Sequence, residues 1–177
     1  MIGILLNDNG YEQDIRELLM AFYPGETFVH EEQENREDVR FYVEGKVNRE
    51  KQVFSLSLCF PGSSRFHVLE DLEPEVRKEW EAAGESAEIS VDYEDRFETK
   101  NRIKRRLYVL LMGETGRQLP WGTLTGIRPT KIAMTKLAEG DSPEEIFRYM
   151  KETYFTSDEK IRLSIEIAQR ERRLLSA

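Results

Sequence analysis

Cysteine is nearly absent from this 177-residue chain, with Cys59 its one representative. A lone cysteine excludes an internal disulfide. With two histidines beside it, the chain is short of donors for a zinc or iron–sulfur site of its own, so no metal ligand and no cofactor of its own are expected. Cys59 lies in "QVFSLSLCF", whose alternation reads as a strand, and a buried structural thiol is the expected state. A nucleophilic thiol would need His30 or His67 beside it. Long apolar runs are missing too. None approaches the roughly 18 consecutive residues of a membrane helix, so no membrane partner is expected. The opening "MIGILLNDNGYEQD" has too short an apolar run and the wrong flanks for a signal peptide, and the expected location is cytoplasmic. No GxGxxG occurs, and "GETGRQ" lacks the Lys and Ser/Thr of a phosphate loop, which leaves nucleotide hydrolysis unsupported. The many carboxylates of the first hundred residues are scattered, and no catalytic residue is assigned among them.

What the chain does have is charge, unevenly spread. The formal net charge is −8, yet residues 100–136 hold nine Lys or Arg against one acid, while residues 1–99 hold ten against 24. A concentrated basic segment on an acidic protein can focus its field on an anion.

The pattern predicts an α+β fold: a mainly antiparallel N-terminal sheet with a helix, followed by a helical C-terminal unit. "IGILL" (2–6) reads as a strand, and Ile15, Leu18, Leu19 and Phe22 recur at helical spacing before Pro24 and Gly25 stop the run. Residues 39–47 and 53–60 alternate as a hairpin turning near "NREK", and 88–93 is a further strand. Residues 61–87 read as loop and a polar helix or irregular stretch. Phe97, Ile103, Leu107, Leu110 and Leu111 fit one face of a helix, and the domain boundary is expected near residue 95, giving units 1–95 and 96–177. Three punctuated helices follow. Pro129 suits a first turn and Gly140 an end, Ser142 and Glu145 form a capping-box pattern, and a last helix is expected to start at Thr156 with Glu159 three residues on.

"QLPWGTLTGIRPTKIAM" (118–134) is the densest motif. Pro129 fixes one backbone angle, and the amides of Thr130, Lys131 and Ile132 fall in the first turn, where no intrahelical carbonyl reaches them. Arg128 offers a planar fork and Lys131 a second positive charge, so a carboxylate or phosphate could be held there. Arg128, Thr130 and Lys131, with Arg105 of the basic helix, are the candidate anion-binding residues. The plain alternative is that Gly126, Pro129 and the threonines only turn and cap the chain while Trp121 and Leu124 plug a core. The run Lys100, Arg102, Lys104, Arg105, Arg106 likewise reads either as a solvated helix face or as a contact for nucleic-acid phosphates. Overall acidity and the lack of any base-stacking or groove-reading motif argue against nucleic acid as partner.

The stretch "KNRIKRRLYVLLMGETGRQLPWGTLTGIRPTKIA", followed by "SPEEIFRYMKETYFTSDEKIRLSIEIAQRE", resembles the N-terminal region of the HemZ-type oxygen-independent coproporphyrinogen III dehydrogenases. That resemblance implies a longer parent with a radical S-adenosylmethionine barrel, in which a CxxxCxxC motif holds a [4Fe-4S] cluster, and oxidative decarboxylation of propionate side chains on the way to haem. The motif is absent here, so the chain resembles an accessory domain whose implied partners are the barrel and an anionic tetrapyrrole.

Overall fold

The computed structural model describes residues 1–31, 38–62 and 71–175. The alternating segments form a five-stranded sheet in the order β2-β1-β3-β4-β5, built from β1 (Ile2–Leu6), β2 (Phe28–Val29), β3 (Tyr42–Asn48), β4 (Val53–Cys59) and β5 (Glu88–Ser90). As expected, β3 and β4 make an antiparallel hairpin, in register from Tyr42 opposite Cys59 to Asn48 opposite Val53. The Asn48 side chain closes its turn by accepting from the amides of Glu50 and Lys51, 3.1 Å from each. The sheet is mixed. The antiparallel ladders, β3 with β4 and β4 with β5, together outweigh the two parallel ones that join β1 to β2 and to β3. The β1–β2 pair is parallel because α1 (Glu12–Phe22) carries the chain back across the sheet between them, the crossover that parallel pairing requires.

Packing follows the sequence pattern closely around α1. Ile15, Leu18, Leu19 and Phe22 are buried with Ile2, Ile4, Phe41, Val43, Phe54 and Leu56 of the sheet, and Phe22 meets Tyr108 edge to face at 5.4 Å. Tyr42 is buried as well, against the alternation. A Cβ on Gly3 would lie 2.1 Å from its ring, so a residue without a side chain is what lets the ring lie flat on β1.

The expected boundary near residue 95 differs from the structure, which divides into units Met1–Arg117 and Gln118–Ala177. The reason is α3 (Arg96–Thr115). It packs on α1, on α2 (Pro74–Glu85) and on β4 and β5, so it completes the first unit rather than opening the second. Gly116, at φ 64, then ends it with an amide bonded to the Met112 carbonyl. One-face amphipathicity also fails for α3. Ile103, Leu107 and Leu111 are buried, but so are Lys104, Arg106, Tyr108 and Val109, while Phe97 is 55% exposed.

Lys104 is the costly member of this set. Burial pushes its pKa down, overriding the pull of Asp14 and Glu17 and adding to the repulsion from Lys100. The unfolded chain therefore binds the Lys104 proton more tightly than the folded one, so this residue lowers stability at neutral pH and the penalty fades as pH rises towards the unfolded value of 10.5. Lys104→Met is expected to raise the melting temperature at pH 7, with the advantage shrinking in alkaline buffer; thermal scans at pH 7 and near 10 check it.

The second unit holds α4 (Pro129–Glu139), α5 (Pro143–Tyr154) and α6 (Asp158–Leu175) around Ala133, Leu137, Ile146, Met150, Tyr154, Ile161, Ile165 and Ala168. Its caps fit the sequence reading at two ends. Ser142 and Glu145 make the reciprocal capping box, and Gly140 terminates α4 at φ 100. At α6 the start lies two residues later than expected, at Asp158. The Thr156 hydroxyl is turned back to the Trp121 carbonyl at 3.4 Å, and the Ser157 carbonyl instead accepts from the Ile161 amide.

Candidate functional site

The motif at 118–134 divides into two parts with different roles. Residues 119–124 form a clasp on the corner between α5 and α6. The Thr123 amide bonds the Tyr154 carbonyl at 2.7 Å, the Thr123 hydroxyl reaches the same oxygen at 3.3 Å, and the Ser157 amide bonds the Pro120 carbonyl at 3.0 Å. Gly122, at φ 59, lies so close to this corner that a Cβ there would stand 2.0 Å from the Tyr154 carbonyl oxygen. Phe155, itself left-handed at φ 57, makes the corner that is held. Here the plain alternative is right, since threonine, glycine and Leu124 serve the core.

Residues 126–131 are different. Gly126 turns the chain at φ 70 and leaves Ile127 and Arg128 exposed ahead of Pro129. Arg128 occupies the N-cap position of α4, where no side chain caps the helix. The Lys131 amide is not open as the sequence suggested, because it donates to the Arg128 carbonyl at 3.0 Å; the Thr130 amide has no partner among the described residues. Every other α-helix in the described residues carries Asp or Glu in its first turn, as the helix dipole favours, whereas α4 carries none there and has Arg128 and Lys131 instead. Two cations at the positive end of a helix are unfavourable by a few tenths of a kcal/mol each unless an anion joins them.

The basic segment around them is largely neutralised within the fold. Lys100 pairs with Asp14 at 2.7 Å, Arg102 bonds the Ser90 hydroxyl at 2.8 Å, and Arg106 pairs with Glu79 at 2.6 Å. Arg117 donates to the Phe22 carbonyl at 3.1 Å, and Lys136 lies 3.2 Å from Glu139 and 4.7 Å from the centre of the Tyr149 ring. Arg105, the fourth candidate, belongs to the first unit and is tied to Glu98 at 2.7 Å with its side chain 14% exposed. Of the nine cations between 100 and 136, Arg128 and Lys131 are the two whose side chains find neither an ion pair nor a hydrogen bond among the described residues, and both are exposed.

With the geometry in place, comparison with known proteins adds one relationship. Over 74 residues the chain is 43% identical to the oxygen-independent coproporphyrinogen-III oxidase-like protein HemZ of Bacillus subtilis (strain 168). The resemblance read from the sequence is borne out. The matched stretch is 42% of this chain and 15% of HemZ, so the chain spans a small part of that relative. No family model matches, and no solved structure matches.

The residues present do not fit the iron–sulfur cluster that the resemblance implies for a parent. Cys59 lies on β4 with its thiol 3.9 Å from the Ser57 hydroxyl, and burial pushes its pKa up, away from the thiolate that iron requires. Among the described residues, no group of three or more His, Cys, Asp or Glu is placed to hold a metal. His30 is engaged elsewhere, 2.7 Å from Arg16, and His67 lies outside the described residues. No helix among the described residues is long and apolar enough to cross a membrane.

Proposed function

We propose that this chain is an accessory region of an oxygen-independent coproporphyrinogen-III oxidase-like protein, and that Arg128 and Lys131 at the start of α4 meet carboxylates of an anionic tetrapyrrole. The observation that carries this reading is the pair of unpartnered cations at an uncapped helix start, in a segment whose other cations are engaged inside the fold. Coproporphyrinogen carries four propionates, and a guanidinium at a helix N-terminus suits a carboxylate. The similarity to HemZ, a coproporphyrinogen-III oxidase-like protein, supports the choice of a tetrapyrrole as the anion. Chemistry on those propionates would belong to a radical S-adenosylmethionine barrel with its [4Fe-4S] cluster in the longer protein. This region would bind and orient. The ties made by Lys100, Arg102, Arg105 and Arg106 favour this over a nucleic-acid contact on the basic helix, since few free cations remain there.

In the longer protein, Arg128→Ala is expected to lower kcat/KM for the tetrapyrrole about tenfold, the effect of losing one charge-assisted hydrogen bond, with little change in melting temperature. Lys131→Ala should do less, because an ammonium on a flexible stem lacks the fork that fixes a carboxylate. Steady-state kinetics and thermal scans on both variants decide the matter; unchanged kcat/KM in Arg128→Ala would end the proposal.

A second reading has its own observation. Ile127, Leu163, Leu174 and Leu175 are exposed on the second unit, with Leu174 and Leu175 at 79% and 81%, as for a surface that packs against another part of a longer chain.

A further inference from the structure

A cleft of about 280 Å³ in the first unit is lined by Asp8, Tyr11, Arg49, Asp92, Tyr93 and Arg96. Its position follows from the topology. Strands β1, β3 and β5 run in one direction, and Asp8 follows the end of β1, Arg49 the end of β3, and Asp92 and Tyr93 the end of β5. From β1 the chain crosses to β2 on one side and then returns to β3 on the other, which makes the gap between β1 and β3 the place where the strand order reverses. Ligands of open sheets bind in that crevice, beyond the carboxyl ends of the strands.

The walls are held in place before any ligand arrives. Asp8 accepts from the Gly10 amide at 2.9 Å, and Asp92 accepts from the amides of Glu94 and Asp95 at 2.9 and 3.2 Å. Tyr11 is fixed against Phe54, edge to face at 5.4 Å. The Arg96 guanidinium donates to the Gly10 carbonyl at 3.2 Å and lies 5.8 Å from the centre of the Tyr11 ring. A Cβ on Gly10 would stand 2.6 Å from Arg96 Nη2, so a side chain there would shift the guanidinium from this wall of the cleft. The Asn7 side chain ties the loop after β1 to β3, accepting from the Val47 amide at 2.7 Å and donating to its carbonyl at 3.1 Å. Arg49 is the most exposed member, with 80% of its side chain open, and it lies 3.8 Å from Asp8, an ion pair too long to be a hydrogen bond. Burial and the Asp8 charge raise the Tyr11 pKa, which keeps its phenol protonated as a donor.

Two guanidiniums and two carboxylates around one cleft leave a net charge near zero, so a simple anion meets Asp8 and Asp92 and a simple cation meets Arg49 and Arg96. A molecule bearing both charges satisfies all four. From this we infer that the cleft binds a small zwitterion of amino-acid size, its carboxylate towards Arg49 and Arg96, its ammonium towards Asp8 and Asp92, and its apolar part against Tyr11 and Tyr93. No sequence motif marks this site, because its members come from three separate stretches of chain, 8–11, 49 and 92–96, and it is independent of the tetrapyrrole reading.

The test is a two-dimensional amide NMR titration of the whole chain with L-phenylalanine, L-glutamate and L-lysine. Beside them run 3-phenylpropionate and phenethylamine, which keep one charge each. The expected result is shifts centred on residues 8–11, 49 and 92–96, and L-phenylalanine binding about tenfold more tightly than either singly charged analogue. Arg49→Glu, at a position exposed enough to leave folding intact, should abolish the shifts. Asp92→Asn, which keeps the oxygen that accepts the turn amides, should weaken L-phenylalanine while leaving 3-phenylpropionate no weaker. No shift at millimolar amino acid, equal binding of a singly charged analogue, or an Arg49→Glu variant that binds normally would each overturn the inference.

Discussion

Gly122→Ala is expected to destabilise the Gln118–Ala177 unit by about 3 kcal/mol or more, placing it among the severe single substitutions. Two costs combine. A left-handed backbone penalises any side chain by about 1–2 kcal/mol, and at φ 59 this residue is in that region. The methyl group would also stand 2.0 Å from the Tyr154 carbonyl oxygen and 2.5 Å from the Phe155 carbonyl carbon, both backbone atoms that cannot turn aside as a flexible side chain would. Relief requires opening the clasp and stretching the 2.7 Å bond between the Thr123 amide and the Tyr154 carbonyl. Urea unfolding followed by Trp121 fluorescence, in a background carrying Trp80→Phe in α2, measures it, and a loss under about 1 kcal/mol would show that the corner tolerates movement.

Arg106→Ala should cost the first unit about 3 kcal/mol. The Arg106 side chain is 8% exposed, and it pairs with Glu79 of α2 at 2.6 Å and donates to the Ser86 carbonyl at the end of the same helix. Removing it strands a largely covered carboxylate, which is where the cost of breaking a buried pair arises. Replacing both partners, Arg106→Met with Glu79→Leu, should recover most of the loss because no charge is then left alone. A double-mutant cycle by chemical unfolding reads this directly. Equal losses in the single and double variants would mean that packing of the arginine stem, not the pair, carries the effect.

Local signals were legible wherever the structure depends on neighbours in sequence. The β3–β4 hairpin, the apolar face of α1, the capping box at Ser142 and the stop at Gly140 each use residues within a few positions of one another, and each forms as read. What escaped depends on distant partners. The pairing of β1 with β2 rests on two residues, Phe28 and Val29, too few to show a period. The basic run in α3 looked like a solvated face because its acids, Asp14 and Glu79, lie 86 and 27 residues away from Lys100 and Arg106. Packing of α3 on α1, α2, β4 and β5 likewise puts the boundary at residue 117 rather than 95.

The candidate site was half legible. Composition singled out the 118–134 stretch, and spacing placed Arg128, Thr130 and Lys131 at a helix start, where the structure also puts them. Spacing could not show that Thr123 and Gly122 belong to a clasp, since Tyr154 is 31 residues further on than Thr123. Nor could it show that Arg105 is committed to Glu98. The division of one motif into a buried clasp and an exposed basic turn explains its unusual composition: glycine and threonine serve the corner, and arginine and lysine face solvent.

The most direct test of the tetrapyrrole proposal is a fluorescence titration of this chain with coproporphyrin III, a planar probe with the same four propionates, repeated with the Arg128→Ala, Lys131→Ala double variant and at rising salt. The account predicts saturable binding that weakens with salt and falls about tenfold or more in the double variant, while the melting temperature stays within a degree or so of the parent chain. Equal affinity in the two proteins, or a double variant that loses thermal stability while binding the porphyrin unchanged, would contradict it.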